Sequence, residues 1–398
     1  MEKLKVKFLM GPAECNDKNI PTYSKSFLDD LSEKIGFEVS NGEMDEVKNQ
    51  PLPVYFIASG GAENGFKACY QETKEPYILL TTPAYNSLAA AMEIMGFLQE
   101  NNLKGKILFG TNDEIARDLK KLLTIAEAKE TLKKSKLGCF GTPGGLIASA
   151  ADFEGLKNKC GAEMVLYSLD ELVDEFNKGG YEENEFTKAL KEKNYNPTEV
   201  DKALNVYGAL KRLIAKYNLT GVTVKCFDLL ALINTTGCLA LAILNSEGIP
   251  AACEGDQKAL LSMAVMKAVT GQSGFMANPC FIDTKNNQMT FAHCTLPLDM
   301  CDDYYLTTHF ESGIGVAVSC DIAPQKMTIF KCNGDLTAHY AGVSTLVETT
   351  HKHDLCRSQM ILQLDEGYEY FSNGPISNHH IICKGDYKDL LDEFFKQL

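Results

Sequence analysis

The chain has 398 residues and is poor in histidine, with seven in all. Its 14 cysteines include no C-x-x-C pair, and it contains neither a G-x-G-x-x-G nor a P-loop with its lysine. No stretch approaches the roughly 18 uninterrupted apolar residues that a membrane helix requires. Positive charge is also short, since 39 Lys and Arg face 53 Asp and Glu for a net charge of −14. Each shortage excludes something. Nucleic acid is a poor partner for a chain without clustered cations, and no membrane association is expected. Scattered cysteines inside apolar runs, such as Cys238 in "TTGCLALAIL", behave as small reduced hydrophobes rather than disulfides or zinc ligands. The opening "MEKLKVKFLMGPAECN" reads as a first strand without a cleavage site, so a cytoplasmic protein is expected.

What remains is a folded composition, 45% hydrophobic and 23% charged, long enough for more than one core. Short apolar runs ending in Gly or Thr alternate with amphipathic stretches from "KVKFLMG" to "NDEIARDLKKLLTIAEAKETLKKSK", the pattern of a parallel sheet covered by helices. The pattern restarts at "KLGCFGTPGGLIAS" and ends near "KALLSMAVMKAVTG", a helix closed by Gly271. Thereafter "QMTFAHCTL", "GIGVAVSC", "KMTIFKC", "SQMILQL" and "HHIICKG" alternate with turns before an amphipathic helix, "DYKDLLDEFFKQL". The fold class is therefore α/β: two Rossmann-like parallel-sheet domains, residues 1–130 and 131–285, then an all-β, barrel-like domain over 286–398 with a terminal helix.

Glycine-rich turns at "SGGAENG" and "GTPGG" follow strands, but as tight βα turns they give no support for nucleotide binding. "ACEGDQKALL" carries more chemistry. Glu254 and Asp256 fall at the C-terminal end of a strand, the edge where open α/β sheets bind ligands. Asp256 is also placed to cap the following helix, whereas no such structural role accounts for Glu254. His293 lies in the apolar strand "FAHCTL". His379 and His380 are adjacent in "SNHHIICKGD", and in a strand neighbouring side chains point to opposite faces, so one of the two can look into a site. One carboxylate and two imidazoles converging between domains would suit Mn²⁺ or another divalent metal. His351 and His353, in the polar "ETTHKHDLC", read as a solvated loop. His309 precedes Gly313 and Gly315, which suggest close approach of the backbone to something.

Taken in order, "ACEGDQKALLSMAVMKAVTGQSGFMANP", "FAHCTLP" and "NHHIICKGD" resemble the L-fucose isomerase and L-arabinose isomerase superfamily, and the likeness extends over nearly the whole chain. The resemblance implies an aldose-ketose isomerase that uses Mn²⁺, or another divalent metal, to move a proton between C1 and C2 of an open-chain sugar through a cis-enediol. It implies Glu254, His293 and a late imidazole as metal ligands, with His380 preferred slightly over His379, and Glu254 with Asp256 as the acid/base candidates. It also implies a homo-oligomer, a trimer or hexamer.

One departure stands out. Where the family places a second carboxylate, "GFMANP" has Ala277 and Asn278, and an amide offers a carbonyl oxygen but accepts no proton as a base. Asp256 or Asp283 is then expected to take over the missing role. Cys226 and Asp228, read as part of the preceding strand "TVKCFDLL", are further candidates to reach this edge and add a thiol or carboxylate to it. Arg357 is a candidate contact for an anionic substrate, as forked guanidinium geometry suits oxyanions, and Asn278, Asp283, His309 and Arg357 are grouped as substrate-binding candidates. A non-catalytic carbohydrate-binding member, and an epimerase or lyase using the same enediolate, are the alternatives.

Overall fold

The computed structural model describes residues 3–12 and 17–398. The chain folds into two compact units, Met1–Glu127 and Ala128–Leu398. Each begins with a parallel sheet.

In the first unit the strands are β1 (Lys3–Leu9), β2 (Glu38–Asn41), β3 (Val54–Ile57), β4 (Tyr77–Thr81) and β5 (Gly105–Leu108). They pair in the order β2-β1-β3-β4-β5, all parallel. The helices are α1 (Ile20–Ile35), α2 (Met44–Val47), α3 (Glu63–Cys69), α4 (Ser87–Glu100) and α5 (Asn112–Lys133), the last running past the unit boundary. Alternation along the strands explains the layering. Val54 and Phe56 join Ile78 and Leu80 in a core with α1 and α5. Tyr55 and Ile57 join Tyr77 and Leu79 in a second core with α3 and α4. Strands buried on both faces need apolar residues at every position, which is why they read as continuous runs.

The second unit starts with β6 (Lys136–Phe140), α6 (Phe153–Cys160), β7 (Glu163–Tyr167), α7 (Leu169–Lys178), α8 (Glu185–Glu192) and α9 (Pro197–Tyr217). It continues with β8 (Gly221–Val224), α10 (Cys226–Ile233), α11 (Cys238–Ser246), β9 (Ala251–Ala252) and α12 (Gln257–Thr270). The sheet order is β7-β6-β8-β9, again parallel. Two-residue β9 is held by the buried Asn245 side chain, which accepts from the Ala251 N–H at 2.9 Å and donates to the Leu241 and Ala251 carbonyls. That amide closes the turn read at Asn245–Gly248.

The remainder contains β10 (Phe275–Asp283), β11 (Gln288–His293), β12 (Asp303–Thr307), β13 (Ala317–Asp321), β14 (Lys326–Cys332) and β15 (His339–Thr350). It ends with β16 (Ser358–Leu364), α13 (Glu369–Asn373), β17 (His380–Lys384) and α14 (Lys388–Gln397). Six strands close a barrel in the order β10-β11-β16-β15-β14-β17, every neighbour antiparallel, with β12 and β13 forming a separate hairpin. The barrel's first strand begins at Phe275, within the segment read from sequence as part of the second α/β domain. Helix α12 packs against β8 and β9 on one side and against β14 and β17 on the other. It is therefore apolar nearly all round, as expected of a helix buried between two layers, and it seats the strand edge ahead of it against the barrel. Among the described residues, no helix is long and apolar enough to cross a membrane.

Candidate metal centre

The site is built where β9 runs out. Glu254 lies two residues beyond it with φ +60°, and Gly255 follows with φ +66°. A left-handed glutamate costs on the order of 1–3 kcal/mol and persists where its surroundings impose it. The surroundings here are tight: a Cβ on Gly255 would lie 2.6 Å from the Thr142 carbonyl oxygen, so only glycine lets the strand end pass under the Gly141–Gly145 turn. The Gly255 N–H donates to the Val224 carbonyl at 2.9 Å. This kink turns the Glu254 carboxylate toward the barrel.

There it meets two imidazoles. His293 Nε2 is 3.5 Å and His379 Nε2 3.6 Å from Glu254 Oε1, and the two rings stand nearly perpendicular with centroids 5.5 Å apart. Among the described residues, Glu254, His293 and His379 are the group of three that could hold a metal ion, with one ligand atom from each inside a span of 4.8 Å. Ligands about 2.1 Å from one ion lie roughly 3.0–3.5 Å from each other. The observed spacing suits that arrangement, and 3.6 Å is too long for a hydrogen bond. His379 Nε2 is buried and has no hydrogen-bond partner among the described residues, which is a cost unless a further group takes its lone pair. The donor set, one carboxylate oxygen and two imidazole nitrogens, fits a divalent ion of the Mn²⁺ to Zn²⁺ series.

Both imidazoles are oriented from behind. Thr295 Oγ1 is hydrogen-bonded to His293 Nδ1 at 3.0 Å. The Asp256 carboxylate accepts from His379 Nδ1 at 2.9 Å. Such outer partners set ring orientation and tautomer. Burial works to raise the pKa of Glu254, but the two imidazoles outweigh it and hold the carboxyl well below its ordinary range. Burial pulls His379 the other way, yet Asp256 and Glu254 leave it above the usual imidazole value. Glu254 is thus ionised at neutral pH, able to bind a cation or accept a proton.

Several residues selected from sequence fall elsewhere. His380, expected to be the late ligand ahead of its neighbour, points away: its Nε2 pairs with the Tyr370 hydroxyl at 3.0 Å and its Nδ1 with the Asn378 carbonyl at 2.8 Å. Its ring packs beside Tyr340, Tyr370 and Phe371, and burial pushes its pKa down to about 3. Asp256, expected as an acid/base group, has both oxygens engaged. Oδ1 accepts the Ala259 N–H at 2.7 Å and caps α12, while Oδ2 accepts from Ser149 and His379. Its place is behind the histidine. Asp283 ends β10 at its turn into β11, bonded to the Lys285 and Asn286 N–H groups, at the opposite end of β11 from His293. It cannot replace a missing base. Asn278 accepts from Asn378 at 2.7 Å and so braces the segment that presents His379. Cys226 Sγ is 3.0 Å from Cys253 Sγ, and Asp228 is tied to Lys225.

His309 and Arg357 lie on segments that neighbour the His293 strand. Residue 358 pairs with His293 across β11 and β16, and Cys294 packs with Phe310 and Cys356 in one cluster. His309 Nε2 is 2.9 Å from Glu311. Arg357 donates from Nε to the Thr308 carbonyl at 2.9 Å and stacks over Phe310. His351, with Ser319 and Asp321, is an exposed partner of the β12–β13 hairpin. Residues missed from sequence are Thr295 and Ser149. Thr295 had a signal, since it lies two positions after His293 and hence on the same side of an extended chain; Ser149 had none.

A carboxylate at a parallel-sheet edge, joined by two histidines of an antiparallel barrel, defines the class of site. Comparison with curated proteins gives a likeness to sugar isomerases. A sulfoquinovose isomerase of Alkalicoccus urumqiensis is 24% identical over 222 residues, covering 52% of this chain and 49% of that protein. Another sulfoquinovose isomerase, from Clostridium sp. (strain MSTE9), is 30% identical over 95 residues, 24% of this chain and 21% of that protein. The chain thus spans about half the length, or less, of these relatives. No family model matches it.

Proposed function

We propose that the protein is a divalent-metal-dependent aldose-ketose isomerase acting on a sugar, with a sulfonated hexose such as sulfoquinovose as the first substrate to test. The convergence of Glu254, His293 and His379 carries this reading, and the likeness to sulfoquinovose isomerases supports it. His293 and His379 with Glu254 would hold the ion, which would supply Lewis-acid polarisation of substrate oxygens. Glu254 is the base. The C2–H bond breaks as its carboxylate takes the proton, the C2–H pair forms the C1=C2 bond, and the C1=O1 π pair passes to O1, which takes a proton from solvent to give the enediol. O2 gives a proton back to solvent in the second half. Return of the proton to C1, with loss of the O2 proton, leaves the 2-ketose. Arg357 is the candidate for the anionic end of the substrate, with His309 a second candidate contact.

A second reading, a non-catalytic carbohydrate-binding protein, is favoured by one observation: Glu254 is the carboxylate left free to react, since Asp256 is fully engaged and position 278 is an amide. The test is formation of the 2-ketose from sulfoquinovose by protein treated with chelator and then given Mn²⁺. Turnover restored by the metal supports the isomerase. Sugar binding without turnover, at any metal level, supports the binding protein.

A further inference from the structure

Lys331 in β14 is fully shielded from solvent, and its ammonium has no hydrogen-bond partner among the described residues. Burying such a group costs several kcal/mol, by order of magnitude, unless a charge compensates it. The charge it faces is Asp256 Oδ2, 3.9 Å away and equally buried. That oxygen is the one that accepts from His379. Lys331 Nζ and His379 Nδ1 therefore flank a single carboxylate oxygen, and the far nitrogen of the ring, Nε2, has no hydrogen-bond partner among the described residues.

We propose that Lys331 is a positioning residue for the metal centre: its amine, 3.9 Å from Asp256 Oδ2, holds that carboxylate as the acceptor of the His379 Nδ1 proton, with Nε2 turned toward Glu254. The inference rests on the metal reading above. Alone in the interior, Asp256 would have His379 as its nearest source of positive charge, and the ring would be free to serve it in more than one way. With Lys331 beside it, the carboxylate is compensated and has a single job to do for the histidine. Burial pulls Lys331 below the ordinary amine value, with Asp256 opposing. A group placed behind Asp256 acts through the ligand and not on the substrate.

The test uses the full chain and two readouts. Free Mn²⁺ is followed by electron paramagnetic resonance during titration of the parent, Lys331→Met, Asp256→Asn and the double variant. Loss of an outer partner is expected to weaken metal binding about 10–100-fold. Because Lys331 acts through Asp256, its substitution should add no further weakening in the Asp256→Asn background. Nitrogen-15 NMR of metal-free protein, at a pH where its own titration shows His379 neutral, should show Nδ1 protonation in the parent and a mixture of tautomers in Lys331→Met. Should that variant fail to fold, by circular dichroism, Lys331→Gln takes its place. Mn²⁺ affinity within twofold of the parent, an additive double variant or an unchanged tautomer would overturn the proposal. A parent that binds no Mn²⁺ removes the metal reading, while the tautomer measurement still decides the role of Lys331.

Discussion

His379 and His380 are adjacent in the chain and serve opposite sides of the barrel wall: His379 is bonded to Asp256 and faces Glu254, while His380 is bonded to Tyr370. The two positions should therefore respond differently to substitution. Replacing His379 by Asn is expected to weaken Mn²⁺ binding by more than about 100-fold, beyond the loss typical of an outer partner. Replacing His380 by Phe should leave metal affinity nearly unchanged but cost about 1–3 kcal/mol of stability, because the Tyr370 hydroxyl and the Asn378 carbonyl lose a buried partner. Metal titration and thermal unfolding of both variants check the contrast.

Gly255→Ala should be damaging out of proportion to its size. The added methyl would meet the Thr142 carbonyl oxygen at 2.6 Å in a backbone with φ +66°. A cost of about 1–3 kcal/mol in denaturant unfolding is expected. Because Glu254 precedes it directly, turnover should fall as well, even at temperatures where the variant is folded.

Arg357 supplies a prediction about selectivity. If it meets the sulfonate, Arg357→Met should raise the KM for sulfoquinovose while changing the kinetics of a neutral aldose little. Steady-state assays on the two sugars measure the difference. Equal losses on both would assign Arg357 to the loop that carries His309, through Thr308.

The His309–Glu311 pair has a defined pH window. Burial lowers the pKa of His309, but the Glu311 carboxylate outweighs it and leaves the imidazole above its ordinary value; the hydrogen bond from His309 holds Glu311 below its own. A raised histidine contributes fully below the unfolded pKa of about 6.5 and loses that contribution as pH rises through the folded value. Glu311→Gln should thus lower Tm at pH 6 and much less at pH 9. The pair is partly exposed, so its worth is under about 1 kcal/mol.

Much of the architecture was legible because buried parallel strands announce themselves as apolar runs. What escaped was strands without that contrast. The "FMANPCFID" strand of β10 carries Asn278 and Pro279 in its middle, tolerated at the irregular register between Pro279 and Phe281. The 12-residue β15 mixes Gly342 and Ser344 into its buried face and bulges between Leu346 and Glu348. The site was legible to the level of Glu254, His293 and one imidazole of a pair. Strand parity says that one histidine of the two faces the carboxylate, but the choice is made by register, here Ala277 opposite His380, and register depends on a partner just over a hundred residues away. For Asp256, capping and catalysis competed for the same residue; its oxygens turn out to serve the helix and the histidine together.

The most direct test of the central claim is incorporation of solvent deuterium at C2 of sulfoquinovose by the Mn²⁺-loaded protein, compared with Glu254→Gln. The account predicts exchange in the parent and a rate at least about 100-fold lower in the variant, the usual scale for a general base. Exchange at an equal rate in both proteins would contradict it.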